Sequence, residues 1–195
     1  MPENIVLIGL MGAGKSVVGR KLADLLGRRF LDVDHLIQEH EVMPIADIFA
    51  RLGEDYFRGV ETEMVGRAAE EELAVISCGG GALLRSGNAE KLKSSGRVVY
   101  LKADPDELAR RLGPQDGIEV KARPMLAGND VAERIRRLLA EREPLYLAHA
   151  DIVFDTAGLT PDEVARGLVR ALEEKGWLSG GPPLPVDSLA EGERT

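Results

Sequence analysis

The stretch Gly9-Leu10-Met11-Gly12-Ala13-Gly14-Lys15-Ser16 constrains this chain more than any other. Its pattern, G-x-x-x-x-G-K-[ST], asks for a backbone that curls tightly enough for successive N–H groups to point inward, which glycine permits and bulkier residues resist. Such a loop cradles phosphate oxygens. A helix that starts at the loop adds the positive end of its dipole. The Lys15 ammonium adds a compact charge on the outer phosphates, and the Ser16 hydroxyl offers a ligand for Mg²⁺. The context agrees. The apolar run Ile5-Val6-Leu7-Ile8 predicts a short buried strand over 4–9. Val17, Val18, Leu22, Leu25 and Leu26 recur at helical spacing over 15–26, with Gly27 just past the end. A glycine-rich turn with an exposed lysine is the competing reading, and it requires neither flank. Gly12, Ala13, Gly14, Lys15, Ser16 and Val17 are the candidate phosphate contacts. The motif implies a nucleoside triphosphate with magnesium and leaves the acceptor open.

Downstream, strand patterns over 29–32, 74–78, 97–101 and 151–155 alternate with helical patterns over 34–41, 45–52, 54–72, 86–94, 106–112, 131–148 and 161–175. This alternation predicts an α/β fold, a five-stranded parallel sheet between two helical layers. The chain has 195 residues, 44% of them hydrophobic, which suits one domain, expected over 1–178. The text after Gly176 is rich in Gly and Pro and predicts a disordered tail over 179–195. No run approaches the roughly 20 apolar residues of a membrane span. The opening MPENIVLIGL, without a basic leader or cleavage site, is expected to carry no secretory signal. One cysteine, Cys78, excludes an internal disulfide framework and a cysteine-rich zinc site, and reads as a small buried strand residue. A cytoplasmic location with no membrane partner is the expectation. A net charge of −8 and 4% aromatic residues argue against a nucleic-acid partner.

Acceptor candidates cluster after the strands. Asp32 and Asp34 follow the second strand, where alternation puts both carboxylates on one side, and ligands of open parallel sheets bind at the carboxyl ends of strands. Asp32 could orient Mg²⁺ through water, and Asp34 could take a proton or a hydrogen bond from an attacking hydroxyl; Asp34 could equally cap the next helix. Phe57-Arg58 lies in GEDYFRGVE, where Arg58 and Glu61 share a helical face, as a surface ion pair also would. Gly79-Gly80-Gly81 follows the third strand and would let backbone N–H groups approach a ligand, or would simply turn the chain. Arg110, Arg111, Lys121 and Arg123 bracket a glycine-bearing loop over 113–127 that suits a lid closing on phosphates. Arg142 stands in Glu141-Arg142-Glu143-Pro144-Leu145-Tyr146. Each arginine could instead sit on a solvated helix face. His35, His40 and His149 lack metal-ligand spacing and are given no role.

Taken together, GLMGAGKSVVGRKLADLL, FLDVDHLI, IFARLGEDYFRGVE, ISCGGGALL, RPMLAG and EREPLY, in this order, resemble the shikimate kinase family over about 4–175. The resemblance implies a P-loop fold like that of the nucleoside monophosphate kinases, a monomer, and transfer of phosphate from ATP to the 3-hydroxyl of shikimate. It matches Arg58 and Arg142 to two anchors of the shikimate carboxylate, a pairing that planar, multi-donor cations suit. Asp34 matches the contact to the ring hydroxyls, Gly80 a backbone contact shaped by Gly79 and Gly81, and Phe57 an apolar wall, with Glu61 holding Arg58. Ser16 and Asp32 match the magnesium positions. Arg123 matches the lid arginine on the transferring phosphate, and Arg111 the arginine stacked on adenine. Lys15, Asp34 and Arg123 are the implied catalytic set. In Asp155-Thr156-Ala157-Gly158 this chain departs from the family, many members of which carry asparagine where Ala157 stands.

Overall fold

β1 (Asn4–Ile8), β2 (Arg29–Asp32), β3 (Ala74–Ser77), β4 (Gly96–Lys102) and β5 (Ile152–Asp155) make one parallel sheet in the order β2-β3-β1-β4-β5. The computed structural model describes residues 3–112 and 131–178. The expected lid over 113–127, with Lys121 and Arg123, and the expected tail over 179–195 lie outside the described residues. Every residue of β1 and β3 is buried, as parallel strands covered on both faces require. Val6 stands in register with Ile76 on one side and Val98 on the other, at the centre of the core.

α1 (Lys15–Leu26) runs back from the first loop and packs on α8 (Pro161–Glu174). A capping box between Thr160 and Glu163 starts α8. α2 (Val33–Glu41), α3 (Ile45–Leu52) and α4 (Glu54–Ala69) follow β2, with α4 packed on the other two and on α5 (Ser86–Ser95). α6 (Pro105–Leu112) packs on α7 (Val131–His149). The helices complete the expected three-layer α/β/α arrangement.

The topology positions the site. β3 lies between β2 and β1, so the loop after β3 runs between the loop after β1 and the carboxylates after β2. Element ends agree with the sequence patterns to within one residue, α4 excepted. The expected helix over 54–72 stops at Ala69. Glu70, Glu71 and Glu72 would stack three carboxylates on the negative end of the helix dipole, and Leu73 instead turns the chain with φ at 53°. Ala82–Leu84 forms a short 3₁₀ turn that the sequence pattern does not signal.

Candidate active site

The cradle begins where β1 ends. Gly9 has φ at 142°, and a side chain there would bring its Cβ to 2.8 Å from the Leu101 carbonyl oxygen, so only glycine lets the strand turn at this point. Lys15 is buried, and its ammonium donates to the Gly9 and Leu10 carbonyls, both at 2.9 Å. Ser16 and Val17 are exposed at the start of α1 and line a cavity with Met11, Gly12, Gly14, Lys15, Asp34, Gly80 and Arg111. Ala13 is buried in the loop wall. Arg111 reaches over the cradle, donating to Glu107 at 2.8 Å and to the Gly12 carbonyl at 3.4 Å. It also borders a further cavity formed by α6 and the segment Thr156-Ala157-Gly158 after β5.

A second cavity adjoins the first. Asp34, Phe57, Arg58, Gly79, Gly80, Gly81 and Arg142 line it, together with Met11, Phe49 and Glu61. Arg58 and Arg142 are 6% and 3% exposed, so neither sits on a solvated helix face. The surface-pair reading of Arg58 and Glu61 gives way to a buried one. Arg58 Nη1 donates to Glu61 at 2.7 Å, Glu61 is 1% exposed, and Glu54 accepts from Arg58 Nη2 at 3.1 Å. Burial pulls the Arg58 guanidinium down, but the charge and hydrogen bond of Glu61 reverse this and hold it above its ordinary value. Burial pushes the Glu61 carboxyl up, against the pull of Arg58, Arg142 and Arg85. Phe57 packs on Phe49 with ring centroids 4.4 Å apart and stacks under Arg58. These contacts lock the guanidinium plane.

The glycine triplet is more than a turn. A Cβ on Gly79 would stand 2.7 Å from Asp34 Oδ1, and one on Gly81 2.5 Å from Arg58 Nη1. The triplet is narrow because Asp34 and Arg58 close on it from either side. Gly81→Ala is expected to cost about 1–3 kcal/mol, the usual penalty for overpacking, because Glu54 and Glu61 leave Arg58 little room to retreat. A urea titration measures it.

The two aspartates part ways. Asp32 is the cap of α2, its Oδ1 accepting from the Asp34 N–H at 3.0 Å and the His35 N–H at 3.4 Å. The capping reading therefore belongs to Asp32 and not to Asp34, which lies in the first turn and lines both cavities. Asp32 lines neither. Cys78 is buried as expected, and burial pushes its thiol far up, which leaves it protonated.

Sequence reasoning missed Met11, Phe49, Glu54 and Tyr146. Met11 hides among the variable positions of the phosphate motif. Phe49 and Glu54 belong to elements whose mutual packing no local pattern reveals. Tyr146 carried a signal, since it stands four residues after Arg142 and so shares its helix face.

Asp34 is common to both cavities, so what is seated in one adjoins what is seated in the other. Such a fold and site define a P-loop kinase for a small acceptor. The family model described as shikimate kinase matches residues 11–173. The shikimate kinase of Moorella thermoacetica is 46% identical over 178 residues, covering 91% of this chain and 98% of the relative. Among solved structures, the shikimate kinase of Acinetobacter baumannii in complex with shikimate superposes with a TM-score of 0.83 at 36% identity, covering 89% of this chain and 94% of that one. A gluconokinase from Sinorhizobium meliloti reaches a TM-score of 0.58 at 26% identity, covering 92% and 98%. The chain belongs to the shikimate kinase family.

Proposed function

We infer that the chain transfers the terminal phosphoryl group of ATP to the 3-hydroxyl of shikimate, giving shikimate 3-phosphate and ADP, a step of aromatic amino-acid biosynthesis. The observation that carries this reading is the cavity beside the phosphate cradle, where two buried guanidiniums, Arg58 and Arg142, converge with the Asp34 carboxylate. Burying two arginines in one pocket is costly unless anions meet them. Glu61 and Glu54 meet Arg58, and the shikimate carboxylate is assigned to the two guanidiniums together. The ring hydroxyls then fall to Asp34 and to the Gly80 backbone, with Phe57 as the apolar wall.

Phosphoryl transfer asks for alignment and charge neutralisation. Gly12 to Val17 hold the phosphates by their backbone N–H groups, and Lys15 balances the charge that develops on them. Asp34 orients the attacking hydroxyl and is placed to receive its proton. Arg111 covers the adenine. The Ser16 hydroxyl, exposed in the cradle cavity, suits Mg²⁺, which takes few protein ligands and keeps much of its water. When bound, the ion neutralises phosphate charge. Asp32 has one oxygen committed to capping α2, and so it would reach such an ion through water. On the family resemblance, Arg123 is assigned to the transferring phosphate, 113–127 to a lid, and 1–178 to one catalytic domain acting as a cytoplasmic monomer. Among the described residues, no helix is long and apolar enough to cross a membrane.

A coupled assay of ADP release over a panel of hydroxylated acids tests the reading. Shikimate-dependent turnover is expected. Turnover of gluconate in its place, or ATP binding without any acceptor-dependent ADP, overturns it.

A further inference from the structure

Tyr146 joins the two walls of the acceptor cavity. It sits on α7 and is 2% exposed. Its phenol donates to the Gly80 carbonyl at 2.5 Å, and the Arg142 guanidinium, four residues earlier on the same helix, pulls electrostatically on it. The chemistry allows one polarity only. A guanidinium can only donate and a carbonyl can only accept, so a hydroxyl that donates to Gly80 keeps its lone pairs turned to the neighbouring Arg142 charge. The phenol keeps its proton at any working pH, since burial pushes it up to about 12 against the pull of Arg142.

The ring is fixed as well. Tyr146 packs on Tyr100 with centroids 5.1 Å apart, and the Tyr100 hydroxyl donates to Glu143 at 3.3 Å. Gly80 borders both cavities, and a Cβ placed on it would stand 3.6 Å from Arg142 Nη1. The guanidinium and the triplet are thus held at one separation by a single hydroxyl. Without it, the Gly80 carbonyl loses its donor, and the loop after β3 can shift relative to α7 and the Arg142 it carries.

We propose that Tyr146 is a positioning residue for the acceptor, setting the Arg142 guanidinium and the Gly80 backbone at the spacing that the acceptor carboxylate and ring require. The role rests on the functional reading given above. The test compares Tyr146→Phe with Tyr100→Phe. The second change removes a hydroxyl of the same kind, from the ring next door, that touches no wall of the cavity. Tyr146→Phe is expected to raise the shikimate KM about tenfold, the effect of one lost hydrogen bond. The ATP KM and kcat should stay within about twofold, and Tyr100→Phe should leave all three unmoved. A purely structural role would instead lower the melting temperature in both variants without separating the two KM values. In the Arg142→Lys background the penalty of Tyr146→Phe should shrink, because the two act as a unit.

An unchanged shikimate KM in folded Tyr146→Phe overturns the role while leaving the functional reading intact. A wild-type chain that turns over no shikimate overturns both. Should Tyr146→Phe not fold, the phenol proton of the wild-type chain serves in its place. Isotope-edited NMR should find that proton protected from exchange and shifted when shikimate binds; an unprotected or unmoved proton overturns the role.

Discussion

Asp34→Asn should lower kcat by about 10²- to 10⁴-fold, the range in which a positioned acid or base contributes to proton transfer, while shikimate and ATP KM values move little. The argument starts from the sheet order. Because β3 separates β2 from β1, the carboxylate after β2 faces the cradle after β1 across the glycine triplet, and Asp34 borders both cavities. Gly79 leaves it room, since any side chain there would meet Asp34 Oδ1 at 2.7 Å. Asparagine keeps the size and one acceptor but loses the negative charge and the affinity for a proton. A fall of that size, read by steady-state kinetics in both substrates, identifies Asp34 as the proton acceptor. A fall of only a few-fold means that orienting the hydroxyl is its whole contribution. The cap of α2 stays intact in this variant, because it is Asp32 and not Asp34.

The backbone of the cradle was legible because a phosphate-binding loop imposes itself on the sequence: Gly9 must turn against the Leu101 carbonyl, and only glycine can do so. Five strands and the helices between them were legible for a similar reason, as each is a local pattern. Sheet order is not local. Nothing in Ala74-Val75-Ile76-Ser77 says that β3 inserts between β1 and β2, yet this insertion brings Gly79, Gly80 and Gly81 against Asp34, Arg58 and Arg142. Burial was equally hidden. Arg58 and Glu61 at three-residue spacing look the same whether water or a core surrounds them, and only the packing of α4 on α2 and α3 decides. Tyr146 shows the limit from the other side. Its spacing from Arg142 was visible, but its partner Gly80 lies 66 residues away, and that distance closes only in the folded sheet.

Arg58→Ala should have the largest effect on the protein as a whole, because it removes the proposed acceptor anchor and a buried counter-ion together. Glu61 is 1% exposed and accepts from Arg58 at 2.7 Å. Deleting one member of a buried ion pair leaves an uncompensated charge and costs about 3–5 kcal/mol. The shikimate KM should rise about 30-fold or more, as when one partner of a buried charge contact is truncated. The pH dependence separates the two effects. Burial already holds the Glu61 carboxyl above the ordinary carboxylate range, against the pull of Arg58, Arg142 and Arg85. Without Arg58 it moves higher still. A carboxyl raised in the native state binds its proton more tightly there than in the unfolded chain, so stability falls as pH rises from the unfolded value through the native one. The variant should therefore regain stability as pH drops from neutral to mildly acidic, more than the wild-type chain does. Urea titrations at the two pH values measure this. Glu61→Gln added to Arg58→Ala should restore most of the stability at neutral pH and none of the shikimate affinity. If the double variant recovered both, Arg58 would be a structural residue and Arg142 would bear the acceptor carboxylate alone.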